Sequence, residues 1–76
     1  MNNIRRKKIA KLQEQLEEIK SLLEEIAEEE EEAFNNIPES LEGTERYEMA
    51  EAANDNLASA IDSFDELLEY LEEAVV

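Results

Sequence analysis

The stretch NNIPESLEG, residues 35–43, holds the only proline and the only glycine of this 76-residue chain. The segments on either side are built mainly from Glu, Leu, Ala, Lys and Gln, which favour the α-helix. Pro38 disfavours the helical conformation at Ile37, so a helix that enters this stretch should end near Asn35 or Asn36. The sequence therefore predicts an all-α fold, in which two helices form an antiparallel hairpin of the coiled-coil type.

The whole chain, residues 1–76, is predicted to be one domain, because it is too short for more. We expect the first helix at about residues 3–36, the corner at 37–43 and the second helix at about 44–75. Asn2 or Asn3 is a suitable N-cap for the first helix. Thr44 and Ser40 are the two candidate N-caps for the second helix.

Apolar residues recur at alternating steps of three and four, as in a heptad stripe. In the first helix the stripe is Ile9, Leu12, Leu16, Ile19, Leu23, Ile26, Ala33 and Ile37, interrupted at Glu30. In the second it is Tyr47, Ala50, Leu57, Ile61, Phe64, Leu68, Leu71 and Val75, interrupted at Asn54. Antiparallel folding about the corner pairs Ile9–Val75, Leu12–Leu71, Leu16–Leu68, Ile19–Phe64, Leu23–Ile61, Ile26–Leu57, Glu30–Asn54, Ala33–Ala50 and Ile37–Tyr47. The only two polar seam positions thus meet, and such a pair fixes register at a cost in stability.

Further apolar residues make the stripe wider than one two-helix seam needs. They are Leu22, Ala27, Phe34, Ala53, Ala60 and Leu67. A lone hairpin has little core, so this width suggests either that two hairpins form a four-helix bundle or that another protein covers the face. The sequence favours the homodimer.

The composition excludes several functional classes. The chain has no histidine and no cysteine, which removes the commonest general base and the thiol nucleophile. It has no Gly-rich phosphate loop and no calcium-loop motif. We therefore predict a protein that is not an enzyme and that uses no cofactor and no metal. No signal-peptide core or membrane-length apolar run is present, so we expect a cytoplasmic protein, in the host cell if the gene is carried by a phage.

The net charge of −15 is distributed unevenly along the chain. Residues 1–20 contain six Lys/Arg and three Glu, a balance of +3, whereas residues 21–76 contain 19 acids and one Arg, a balance of −18. The charge opposes direct binding to nucleic acid or an anionic membrane, and it attracts basic protein surfaces. In the hairpin the basic residues lie beside acids of the second helix, but the corner end has no such balance. This pattern is typical of a Glu-rich solvated coiled coil, and it also matches a protein that mimics DNA to a basic partner.

The sequence Glu39-Ser40-Leu41 is similar to the Glu-Ser-Ile motif of phage uracil-DNA glycosylase inhibitors. The resemblance covers three residues, and in that family the motif lies on a sheet, so it implies a shared function without a shared fold. It implies that Glu39 and Ser40 make polar contacts with the enzyme's DNA-binding face. It also implies an apolar pocket for an inserted leucine, lined by Leu41, Ile37, Tyr47, Met49, Ala33, Ala50 and Ala53. The ordinary alternative is a helix-joining turn in which Leu41 closes the end of the core.

The leading hypothesis is therefore an acidic DNA-mimic inhibitor of a DNA-binding enzyme, with uracil-DNA glycosylase as the most concrete target. The candidate partner-binding residues lie at and beside the corner: Glu39, Ser40, Leu41, Glu42, Ile37, Tyr47, Met49, Glu28, Glu31, Glu32, Glu45 and Glu48. The alternative is a structural or adaptor coiled-coil homodimer with no inhibitory role.

Overall fold

The computed structural model describes residues 1–75 and shows an antiparallel hairpin of two long helices. Helix α1 spans Asn3–Asn35 and helix α2 spans Glu45–Ala74, with a short 3-10 turn at Glu39–Leu41 between them. The two helices contact each other along their length, and no strand occurs in the part of the chain described. The predicted all-α hairpin is confirmed.

Side-chain caps fix the start of each helix. The side chain of Asn2 accepts a hydrogen bond from the backbone N–H of Arg5 at 2.8 Å. Thr44 Oγ1 accepts one from the N–H of Tyr47 at 3.3 Å and donates one to the carbonyl of Leu41 at 2.6 Å. Thr44, and not Ser40, therefore caps α2, and its hydroxyl also ties the helix start to the corner.

The corner is built from residues with restricted or unusual backbone conformations. Pro38 is extended, with φ −60° and ψ 145°, which takes the chain out of the helical direction. The 3-10 turn that follows ends before Gly43, whose φ of +83° lies in the left-handed region. Residues with a Cβ adopt this conformation only at a cost, so Gly43 sets the direction in which α2 leaves the corner.

The seam of α2 is the predicted one. Its half-buried residues are Thr44, Tyr47, Ala50, Ala53, Asn54, Leu57, Ile61, Phe64, Leu68, Leu71 and Val75. In α1 the predicted row Ile9, Leu16, Leu23, Glu30 and Ile37 is half-buried too. Glu30 and Asn54 are thus both seam positions, as expected.

The second predicted row of α1 is wrong. Leu12, Ile19 and Ile26 are 48%, 51% and 54% exposed, and Ala33 is exposed as well. The half-buried row is one residue further along the chain, at Gln13, Lys20, Ala27 and Phe34. Leu12, Ile19, Ile26 and Ala33 therefore lie outside the half-buried seam in which they were predicted to pair with α2.

Two contacts account for this rotation of α1. Lys20 Nζ lies 2.5 Å from Asp65 Oδ1, and the rings of Phe34 and Tyr47 pack with centroids 4.9 Å apart at 39°. Both contacts use the row that begins at Gln13. The aromatic pair adds stabilisation beyond its buried area, and the lysine stem covers apolar surface while its ammonium reaches the carboxylate.

The hairpin is a thin rod without an enclosed core. Its Cα atoms extend over 59 × 16 × 12 Å with a radius of gyration of 17.4 Å, against about 11 Å for a compact domain of this length. None of the described residues is fully buried. The seam alone therefore shields only part of the apolar surface that the sequence provides.

Candidate protein-binding site

The half of the rod nearest the corner carries most of the charge. We call this half, residues 21–60, the acidic end. It has 13 acidic residues and one basic residue, which gives −12, whereas the other half has nine acids and six bases, which gives −3. Over half of the 59 Å rod, this is about one net charge per 2.5 Å, comparable with one per 1.7 Å along duplex DNA.

The predicted carboxylates of the acidic end are exposed and available. Glu28, Glu31 and Glu32 lie on the last turns of α1, and Glu45 and Glu48 lie on the first turn of α2. Within residues 1–75, none of these five carboxylates has an ion-pair partner. No ion pair therefore has to be broken before an approaching molecule can contact them.

The tip of the rod presents the motif that suggested a glycosylase inhibitor. Glu39, Ser40 and Leu41 form the 3-10 turn, followed by Glu42, and all four residues are exposed. The backbone of Leu41 is held on both sides, since its N–H donates to Pro38 O at 2.9 Å and its carbonyl accepts from Thr44 Oγ1. The side chain of Leu41 remains 38% exposed. The tip is thus a fixed turn with an accessible apolar side chain.

Of the other predicted apolar residues of the tip, Ile37 and Tyr47 are half-buried, whereas Met49 lies apart from them. Tyr47 packs against Phe34, and Ile37 is half-buried one turn beyond it, with its N–H bonded to Phe34 O at 3.1 Å. Met49 is 67% exposed and lies two residues after Tyr47, which places it about 200° around α2, on the outer surface. The structure separates Met49 from the residues with which it was grouped.

A groove does open between the helices at the acidic end, on one side of the hairpin. Its volume is about 430 Å³. Its apolar lining comes from Ala27, Phe34, Ala58 and Ile61, and its polar lining comes from Glu31, Asn35, Asn54 and Asp55. Of the predicted site residues, only Glu31 contributes to this groove.

The lining of the groove suits one kind of side chain better than others. A lysine or arginine has an apolar stem and a cationic head, so its stem can pack on Phe34 and Ile61 while its head meets Glu31 or Asp55. Phe34 also offers an aromatic ring to a cation. The arrangement therefore fits a basic protein surface that inserts a long cationic side chain.

Sequence reasoning missed most of this groove because it chose the wrong second row of α1. The larger side chains at Leu12, Ile19 and Ile26 favoured their row over the neighbouring one. The useful signal was Phe34, the only aromatic residue of the first helix, together with Lys20, which has acidic residues opposite it on α2. An aromatic residue and a partnered lysine in one row indicate that this row faces the partner helix.

Other kinds of site find no support in the described part of the chain. No group of three or more acidic side chains is arranged to hold a metal ion there. Neither helix is long and apolar enough over residues 1–75 to cross a lipid bilayer.

Comparison with known proteins identified no relative of this chain. No protein-family model, curated protein or solved structure matches the chain.

Proposed function

We propose that this protein is an acidic DNA mimic that binds a basic DNA-binding enzyme and blocks its access to DNA. The observation that carries the proposal is the charge of the acidic end. This half of a 59 Å rod has a net charge of −12, and its predicted partner-binding carboxylates are exposed. A surface that binds phosphates through Lys and Arg is attracted to such an array by the same forces that attract it to DNA.

Charge alone does not make an inhibitor, because exposed charges are screened within about 8 Å at physiological salt. Specific contacts must add to it, and the structure offers two places for them. The groove accepts a cationic side chain, and the tip presents Leu41 beside Glu39 and Ser40. These contacts allow the complex to persist at salt concentrations that weaken a purely electrostatic one.

The most concrete target is uracil-DNA glycosylase, through the similarity of Glu39-Ser40-Leu41 to the motif of its phage inhibitors. The fixed 3-10 turn supports this choice, because it holds the three residues at the end of the rod, where an enzyme surface can reach them. On this proposal Glu39 and Ser40 contact the DNA-binding face, and Leu41 makes the apolar contact.

A uracil-excision assay tests the target. Stoichiometric protein should abolish excision by a bacterial glycosylase on duplex DNA, and a variant in which Glu39, Glu42, Glu45 and Glu48 are changed to Gln should inhibit at least tenfold less. Full excision activity at a tenfold excess of wild-type protein would eliminate this enzyme as the target.

The wider idea of DNA mimicry has a separate test. Capture of DNA-binding proteins on immobilised wild-type protein at two salt concentrations should yield species that duplex DNA displaces. If duplex DNA displaces none of the captured species, the mimic function is excluded, whatever the glycosylase assay shows.

The second candidate function is a structural or adaptor coiled-coil homodimer. It is favoured by a different observation, the large apolar side chains that the hairpin leaves exposed outside its seam. This function predicts self-association without capture of basic proteins, so the capture experiment distinguishes the two.

A further inference from the structure

The hairpin exposes a row of large apolar side chains that its own seam does not use. Leu12, Ile19, Leu22 and Ile26 of α1 are 48%, 51%, 59% and 54% exposed, and Leu67 of α2 is 42% exposed. With the exposed Ala60 of α2, we call these residues the apolar face.

The apolar face lies on one side of the rod, and the groove lies on the other. Successive helical residues are about 100° apart, so residues two apart are on nearly opposite sides. On α2, Ala58 lines the groove, and Ala60 of the apolar face is two residues further along the chain. Asp65, which contacts Lys20, likewise precedes Leu67 of the apolar face by two residues. In α1, Glu31 lines the groove, and Ala33, two residues further along, is on the nearly opposite side. Ile19 and Ile26 share the side of Ala33, because the three residues are spaced seven apart.

The amount of exposed surface matches what a partner of ordinary size covers. The chain exposes 6057 Å², about 1,300 Å² more than a compact monomer of 8.8 kDa exposes. A standard protein–protein interface covers about 800 Å² on each side. One broad side of the 59 × 16 Å rod provides this area.

We propose that the apolar face binds a second copy of this chain, turned end for end, to form an antiparallel four-helix bundle. The face is centred for such a two-fold arrangement, because Ile19 is the middle residue of helix α1, Asn3–Asn35. Turning a second copy about Ile19 brings Leu12 opposite Ile26 of the partner subunit. The same patch then serves both subunits, as a closed two-fold dimer requires.

Charge selects this orientation. The rotation that sets Leu12 opposite Ile26 also sets the basic run at residues 5–8 opposite residues 30–33, which include Glu30, Glu31 and Glu32 of α1. At both ends of the dimer, the acidic end of one subunit, with a net charge of −12, then faces the other half of its partner, with a net charge of −3. In the parallel alternative −12 faces −12, and the summed repulsion between facing halves is roughly twice as large.

This dimer goes beyond the proposed inhibitory function and does not depend on it. The groove is on the opposite side from the apolar face, so both grooves stay open, and the two tips point away from each other. A failure of the excision assay leaves the dimer standing, and a monomeric chain leaves the excision result standing.

The first experiment measures mass and thermal stability. Wild-type protein should sediment at twice the 8.8 kDa chain mass, and its Tm should rise with protein concentration because association stabilises the folded state. Ile19→Lys should weaken association at least a hundredfold, whereas Ile4→Lys, an equal change at a residue that is 68% exposed outside the apolar face, should leave it unchanged.

A second experiment measures orientation, and the absence of cysteine makes it direct. Nitroxide labels on Glu42→Cys should lie apart by most of the 59 Å rod in pulsed electron paramagnetic resonance. A mixture of labelled Glu42→Cys and Ile4→Cys chains should show a distance of about 20 Å, two helix diameters.

Either experiment can overturn the proposal. A monomeric mass with a Tm that is independent of concentration excludes the dimer, and this holds even if Ile19→Lys fails to fold. A separation of about 20 Å between the two Glu42 labels excludes the antiparallel orientation, since it places the tips side by side.

Discussion

Lys20 of α1 pairs with Asp65 of α2, with Nζ and Oδ1 2.5 Å apart, and this contact occurs in the row that sequence periodicity placed outside the seam. The lysine side chain is 23% exposed and the aspartate 53% exposed. The pair therefore fixes the rotation of α1 at a point where the surrounding seam positions are apolar.

The hydrogen bond with Asp65 raises the pKa of Lys20 above 10.5, and the charges of Asp65, Glu24 and Glu17 act in the same direction. Because the pKa is raised by folding, the stabilisation is complete below pH 10.5 and is lost as the pH rises through the raised pKa. Asp65→Asn should lower the Tm by a few degrees at neutral pH, and the difference from wild type should disappear above that pKa. Thermal melts of both proteins across this range measure it, and a constant difference at all pH values would refute the assignment.

Gly43 determines the geometry of the corner through its backbone conformation alone. An added Cβ meets no atom within 4 Å, so only the φ of +83° opposes substitution. Gly43→Ala should therefore lower the free energy of unfolding by about 1–2 kcal/mol, and Gly43→Asn by less, since Asn tolerates this conformation better. Urea unfolding followed by circular dichroism measures both, and equal losses would mean that the left-handed backbone is not the cause.

Asn54 is a half-buried polar residue of the seam, and no hydrogen bond joins its side chain to Glu30 within residues 1–75. Asn54→Leu should raise the free energy of unfolding by about 1 kcal/mol or change the oligomeric state, because it extends the apolar contact of the helices. Ser59→Leu, at an exposed position on the side of the same helix that faces away from the seam, is the control and should change stability by less than about 0.5 kcal/mol. An Asn54→Leu protein with unaltered stability and mass would contradict its place in the seam.

Ala58 lines the groove and Ala52 lies outside it on the same helix, so the two residues allow a matched test. Ala58→Arg places a cation in the groove and should weaken binding of the basic partner at least tenfold. Ala52→Arg makes the same change in net charge and should weaken binding only slightly. Titration calorimetry with the captured partner compares them, and equal weakening would show that net charge rather than the groove governs binding.

Leu41 at the tip is exposed enough to be truncated without unfolding the hairpin. Leu41→Ala should lower the free energy of unfolding by less than about 1 kcal/mol, but it should weaken partner binding at least tenfold. Tyr70→Ala, which truncates a residue 69% exposed on α2, should leave binding unchanged. If Leu41→Ala loses stability and keeps its affinity, Leu41 only closes the end of the helices.

The parts of the fold that depend on local chemistry could be predicted from the sequence. Pro38 and Gly43 locate the corner, Thr44 caps α2, and both helices end within one residue of the expected positions. The seam of α2 follows from its main apolar stripe, because the row beside it consists mostly of alanines. The face of α1 could not be settled in this way, because its apolar residues form two adjacent rows and a shift from one to the other turns the helix by about 100°.

The choice between those rows depends on contacts with α2, and the groove depends on the same choice. Periodicity ranks rows by size and hydrophobicity, so it favoured Ile19 and Ile26 over Lys20 and Ala27. Ala58 and Asp55 line the groove together with Phe34, and they do so because Phe34 faces α2. The charge of the acidic end, in contrast, is a property of composition and can be counted directly from the sequence.

The absence of any fully buried residue has a consequence for how this chain tolerates change. A substitution that truncates a side chain opens a damaging void only where neighbours enclose it on all sides, and residues 1–75 contain no such position. Single truncations in the seam of one hairpin should therefore be mild, whereas changes on the apolar face should act through the dimer. The corner is the exception, because one proline and one glycine carry the reversal of the chain and no neighbouring residue can replace them.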